Sequence, residues 1–356
     1  MGPLSVSLLE IKDLTVGFPA EQGILKAVDR VSLKMEEGKT FCLVGESGSG
    51  KSVTSLSIMR LIDYDGGDIL SGEIFFHGED LVQKSQEEMI KLRGYKLAMI
   101  FQEPMSALNP VFTVGDQIAE AVMLHQKKGK KEAWQDAIEM LRLVGIPAPE
   151  VRARQYPHEL SGGMCQRVVI AMALVCKPEV LIADEPTTAL DVTVQAQILD
   201  LLRQLKAELN MAILLITHDM GVAAEVADQI AVMYAGVIVE EGTVEQVFSH
   251  PCHPYTLGLL KSIPGYESER GKDLYAIPGN IPSLAQLPQG CRFHPRCVPA
   301  REKCRLEEPV PHDLGSGHVV KCWLSEGAER AEKRSPDLPA DMNQGEVNGG
   351  KEVRTL

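Results

Sequence analysis

Eight residues, Gly45-Glu-Ser-Gly-Ser-Gly50-Lys51-Ser52, match a pattern that only phosphate chemistry requires at that spacing. Gly45, Gly48 and Gly50, with Ser47 and Ser49 between them, let successive backbone N–H groups wrap phosphate oxygens. A following helix N-terminus adds partial positive charge. Lys51 would reach the β and γ phosphates, and the Ser52 hydroxyl would ligate Mg²⁺. A second candidate is Val180-Leu-Ile-Ala-Asp184-Glu185, an apolar run closing on two carboxylates. Asp184 at that place would hold Mg²⁺, and Glu185 could act as general base toward an attacking water. A third is a set of four cysteines, Cys291, Cys297, Cys304 and Cys322, crowded near the end of the chain. Four thiolates can complete a tetrahedral Zn²⁺ site or hold an iron–sulfur cluster, and these spacings favour neither.

Short elements must carry these groups. TFCLV reads as a buried strand before the glycine-rich loop, and SVTSLSIMRLI as a helix after it. LLEIKDLTV, VDRVSLKM and GEIFFHGEDL read as further strands, with a helix over roughly 85–93 and a strand at LAMIF. From about 113 to 175 the pattern is mostly helical, with KEAWQDAIEMLRLVGI strongly amphipathic. VLIAD and AILLIT then flank the helix VTVQAQILDLLRQLKAEL. Strand and helix in alternation imply a largely parallel sheet covered by helices, an α/β fold.

Leu160-Ser-Gly-Gly-Met-Cys-Gln-Arg167 resembles the signature motif of ATP-binding cassette (ABC) ATPases, and six motifs follow that family's order over residues 8–260. Gln102 in MIFQEP matches the Q-loop glutamine, Ala189-Leu190-Asp191 the D-loop, and His218 in LLITHD the switch histidine. Met164 departs from the Gln that many members carry. The resemblance implies a P-loop cassette with an antiparallel β subdomain and a helical signature subdomain. It also implies that Gln102, Glu185 and His218 serve hydrolysis, and that Gln102 joins Ser52 and Asp184 around Mg²⁺. Ser161 reads as a helix N-cap, so its hydroxyl, Gly162, Gly163 and the helix dipole form a second phosphate-binding surface. In the family that surface, with the D-loop Asp191, covers ATP held by a second ATPase subunit. Phe18 is the nearest candidate for stacking on adenine.

GNIPSL, CRFHPRC, HPYTLGLL at 253–260 and ADEPTTALDVTVQAQI together resemble the ATPase subunits of dipeptide and oligopeptide importers. That resemblance implies a 4Fe-4S cluster on the four cysteines, with Zn²⁺ the alternative. It implies a heterodimer with a second ABC ATPase subunit, two separate permease subunits, and a substrate-binding protein reached through the complex. Nickel or another solute is the competing cargo, and a soluble non-transport ABC ATPase the competing class. His294, His312 and His318 lie nearby as spare ligands that read as surface residues.

Composition bounds these readings. Lys plus Arg number 36 against 49 Asp plus Glu, a formal charge of −13, which argues against a globally basic nucleic-acid-binding surface. The longest apolar run, Val168 to Cys176, is nine residues, too short to span a bilayer, and no secretory signal is legible. Peripheral attachment at the cytoplasmic face of a membrane through partners is therefore expected. Clustered cysteines without a signal peptide read as metal ligands before disulfides. The expected organisation is a nucleotide-binding domain at 1–262 with the helical subdomain at 103–175, a small C-terminal domain at 263–324 and a disordered tail at 325–356.

Overall fold

A computed structural model describes residues 7–21, 23–187, 191–263 and 275–325. The expected tail from 326 onward and the D-loop residues Ala189 and Leu190 lie outside the described residues. Twelve strands form two sheets among those described: β1 (Leu9–Ala20), β2 (Gly23–Met35), β3 (Thr40–Val44), β4 (Asp68–Phe76), β5 (Glu79–Asp80), β6 (Leu97–Ile100), β7 (Val180–Asp184), β8 (Ala212–Thr217), β9 (Gln229–Tyr234), β10 (Val237–Thr243), β11 (His312–Asp313) and β12 (Val319–Val320). The antiparallel sheet runs β2-β1-β4-β5, and the larger one β11-β12-β10-β9-β3-β8-β7-β6. Strands β9, β3, β8, β7 and β6 are mutually parallel where they pair.

The parallel strands are apolar at almost every position because both faces are covered. β3, β7 and β8 are buried throughout. Alternate residues then face different cores. Val44, Ala183 and Leu215 pack toward the helices Val114–Gln126, Gly162–Leu174 and Val192–Leu209. Leu43, Ile182 and Leu214 pack toward the antiparallel sheet. Each large side chain so covered contributes about 1.5–3 kcal/mol relative to exposure.

The register brings the strand ends together. Val44 pairs with Thr217, Asp184 with Ile216, and Ile100 with Ala183. The loops after β3, β6, β7 and β8 therefore emerge at one edge, where open α/β sheets place their ligands. The sheet also continues past the expected 262/263 boundary. β12 pairs antiparallel with β10, joining Val320 to Glu240, and β11 adds outside it.

Candidate ATP site

The phosphate loop follows β3 and leads into the helix Lys51–Ile58. Gly50 sits at φ 107°, a conformation L side chains rarely adopt, and an added Cβ would lie 2.6 Å from Ala27 O. Gly48, at φ 79°, has open space where its Cβ would project. The loop is thus tight beneath and open above, the shape of a phosphate cradle. Lys51 is buried, and its Nζ donates to Gly45 O at 2.8 Å and Glu46 O at 3.0 Å. Burial lowers its pKa, while Glu185, Asp184 and Glu46 oppose that shift.

Glu185 follows β7 with a left-handed backbone, φ 46°, and its N–H donates to Ile216 O at 2.9 Å. Its carboxylate is shared by two of the residues expected beside it. Gln102 Nε2 donates to Oε2 at 3.0 Å, and His218 Nδ1 lies 3.3 Å from Oε1. Asp184, one residue earlier, is largely buried, which raises its pKa, while the Ser52 hydroxyl and Lys51 oppose the shift. The Oδ1 of Asp184 and the Oγ of Ser49 are buried without a protein hydrogen-bond partner. An oxygen-rich set of Ser52, Asp184 and Gln102, with an orphaned carboxylate oxygen, fits the hard, oxygen-seeking Mg²⁺.

Lys51, Ser52, Gln102, Glu185 and His218 line one cavity of about 880 Å³. Phe18 lines it too, with Leu259, Ile277 and Leu284 from the C-terminal region. Leu259 and Leu284 lie within the quoted segments HPYTLGLL and GNIPSL and Ile277 outside any, but nothing in their type or spacing marked the three as cavity residues.

The structure does not bring the signature residues into this cavity. Ser161 caps Gly162–Leu174, accepting from Met164 N at 3.4 Å, and is exposed with Gly162. Gly163 faces Val194 on the neighbouring helix. That helix is capped by the exposed Asp191, which accepts from Val194 N at 3.0 Å. Gln166 ties the signature helix to the segment just after Asp184 and Glu185, donating to Pro186 O at 2.7 Å.

All four clustered cysteines are free, with Cys304 and Cys322 buried and Cys291 and Cys297 half-buried. A backbone N–H reaches one sulfur: that of Arg301 donates to Cys304 Sγ at 3.5 Å, while those of His294 and Ser325 donate to the backbone carbonyls of Cys291 and Cys322. Burial, with the three neighbouring cysteines, pushes the Cys297 thiol up to about 12. Four free thiols in one short region, two buried and two half-buried, are a soft donor set of the kind metals take. Of the spare histidines, His318 is not on the surface as expected. It is buried with its Nε2 2.9 Å from Glu240 Oε1, because β12 carries the preceding chain against β10.

Comparisons with known proteins agree with this geometry. The family described as "ABC transporter" matches residues 28–188, and "Oligopeptide/dipeptide transporter, C-terminal region" matches 239–304. The oligopeptide transport ATP-binding protein AppD of Bacillus subtilis is 50% identical over 327 residues, covering 91% of this chain and 99% of that protein. OppD of the same organism, also an oligopeptide transport ATP-binding protein, is 52% identical over 317 residues, covering 89% and 88%. A solved dimeric ATP-binding cassette in a post-hydrolysis state, bound to ADP and Pi, superposes with TM-score 0.60 at 28% identity. That match covers 66% of this chain and 98% of the other. With a phosphate loop, a paired carboxylate end and half-identical relatives along nearly all its length, the chain belongs to the ATP-binding subunits of ABC transporters, in the oligopeptide and dipeptide branch, and is an ABC-type ATPase.

Proposed function

We propose that this chain hydrolyses ATP to power inward movement of dipeptides or oligopeptides through separate permease subunits. One observation carries the reading. The cavity that gathers Lys51, Gln102, Glu185 and His218 is walled by Leu259 and Ile277, which lie within the region matched to peptide transporters. No helix among the described residues is long and apolar enough to cross a membrane, so translocation falls to other chains.

In this reading Lys51 and the loop N–H groups hold the β and γ phosphates. Ser52, Asp184 and Gln102 would hold Mg²⁺, which neutralises charge developing on the phosphates. Glu185 takes a proton from the attacking water. His218 orients that carboxylate and meets the γ-phosphate. Phe18 stacks on the adenine. Ser161, Gly162, Gly163 and Asp191 act on ATP held by a second, similar ATPase subunit. Closure around two nucleotides is favoured because the closed state binds ATP better than the open one. A substrate-binding protein delivers the cargo, and the subunit sits peripherally on the cytoplasmic face of the membrane.

Cys291, Cys297, Cys304 and Cys322 hold a 4Fe-4S cluster, with Zn²⁺ the alternative. Among the described residues no three of their sulfurs gather within 4.8 Å, a wider spread than one tetrahedral zinc ion draws together. Iron, acid-labile sulfide and zinc measured after anaerobic purification decide between them. Roughly four irons with matching sulfide support the cluster, and one zinc without sulfide rejects it.

ATP-dependent dipeptide uptake by the assembled transporter in proteoliposomes tests the main proposal. Uptake abolished by Glu185→Gln supports it. Transport of nickel but no peptide would reject the cargo assignment.

A further inference from the structure

The four-thiol segment reaches the phosphate loop through one side chain. Arg296, immediately before Cys297, is 8% exposed. Its Nη1 and Nη2 donate to Glu46 Oε2 and Oε1 at 2.8 and 3.0 Å. Its Nε donates to Pro278 O at 2.8 Å, and the guanidinium lies 5.7 Å from the Tyr234 ring centroid and 6.0 Å from that of Phe293. Glu46 is the second residue of the phosphate loop. Its carbonyl accepts from Lys51, and its N–H donates to the Tyr255 hydroxyl at 2.9 Å. The loop is therefore gripped from outside the cassette motifs, by Tyr255 on one group and Arg296 on another.

The path back to the thiols is short and stiff. Arg296 ends a single turn, His294–Arg296, between Cys291 and Cys297. Phe293, at the start of that turn, packs edge-on against Tyr234 at 5.2 Å and tilted against Tyr255 at 5.4 Å. Any change that draws Cys291 and Cys297 together or lets them part must move the turn that carries Arg296. A bidentate arginine–carboxylate pair with its guanidinium buried and its carboxylate half-buried resists partial breakage, since the buried charge of Arg296 would be left unpaired.

We propose that Arg296 is a positioning residue of the ATP site: it holds Glu46, and through it the phosphate loop, so that the state of the four-thiol site is felt as nucleotide affinity. The second half rests on the reading of those thiols as a metal or cluster site. Arg296 does not line the ATP cavity and acts only through Glu46. The arrangement makes the C-terminal region a working part of the nucleotide site.

The test measures MgATP affinity of the full chain by displacement of a fluorescent ATP analogue, with thermal unfolding and metal content read on the same samples. Arg296→Met should weaken MgATP binding about tenfold, the scale of coupling between communicating sites. Turnover at saturating ATP in the assembled transporter should change far less. Arg296→Lys should recover part of the loss. Glu46→Gln should weaken binding similarly, and the double variant should be no worse than either single one. Singles that unfold at the wild-type temperature and bind MgATP normally overturn the proposal, as do losses that simply add. Cys297→Ser should lower metal content and weaken MgATP binding in the wild-type background but not beside Glu46→Gln. Lowered metal content with unchanged affinity overturns the coupling alone. Unchanged metal content overturns the thiol reading and leaves Arg296 to be judged by its own variants.

Discussion

Gln102 Nε2 and Glu185 Oε2 meet at 3.0 Å, although 83 residues separate them in the chain. Gln102 stands where β6 gives way to the largely helical stretch that follows it, and Glu185 directly follows β7. The contact links the entry to the helical subdomain directly to the carboxylate at the phosphate end of the cavity. A displacement of that subdomain must therefore remake the surroundings of Glu185.

Glu185→Gln keeps the side-chain volume and an oxygen that can accept from Gln102, but it cannot take a proton. Turnover in the assembled transporter should fall by about 10²–10⁴-fold, the usual worth of a general base. Binding of MgATP should survive, and nucleotide-bound dimers should accumulate in gel filtration. ATPase activity near wild type would defeat the general-base role.

Asp184→Asn removes the charge but not the shape of the group whose Oδ1 is buried and unpartnered. Loss of a carboxylate from an oxygen-ligand set weakens Mg²⁺ more than it weakens the nucleotide's adenine contacts. The Mg²⁺ concentration giving half-maximal turnover should rise by about tenfold or more. A magnesium titration identical to wild type would remove Asp184 from the metal set.

Ser161→Arg places a bulky cation on an exposed helix cap that lies outside the chain's own ATP cavity. The cap hydrogen bond to Met164 is lost, at a cost of about 1 kcal/mol in helix stability. MgATP binding by the isolated chain should be unchanged while turnover of the complex collapses. Undiminished turnover would count against action across a subunit interface.

His253 gives a pH signature of folding independent of catalysis. It is fully buried, its Nδ1 accepts from Tyr255 N at 3.0 Å, and its backbone N–H donates to Glu240 Oε2 at 2.9 Å. Burial holds its pKa down to about 4 against an ordinary 6.5, although Glu240 opposes the shift. Between those values the unfolded chain binds more protons than the folded one, so stability rises with pH across the window. The contribution is complete above about pH 6.5 and drains away as pH falls toward 4. Urea unfolding at pH 7 and pH 5 should show about 2 kcal/mol more loss in wild type than in His253→Asn, which retains an oxygen for the Tyr255 N–H. Equal losses in both proteins would show that other groups set the acid limit.

The sequence by itself determined the groups whose chemistry is local. Gly45 to Ser52 announce a phosphate loop because consecutive N–H groups in so short a stretch can do little else. Ser161 announces its helix because a cap acts within three residues, and its hydroxyl does accept from Met164 N. The alternation of VLIAD and AILLIT with a helix sufficed for a parallel sheet, since strands buried on both faces must be apolar throughout. Strand register was not legible, and it is register that sets Asp184 beside Ile216 and brings Gln102, Glu185 and His218 to one edge. Only the tertiary structure decided the rest. β12 joins β10 although Val320 and Glu240 are 80 residues apart in the chain, and His318 is buried in consequence. Arg296 finds Glu46 across 250 residues. A long-range ion pair carries no periodic mark in a sequence, because its partners are chosen by the shape of the packed chain and not by their spacing along it.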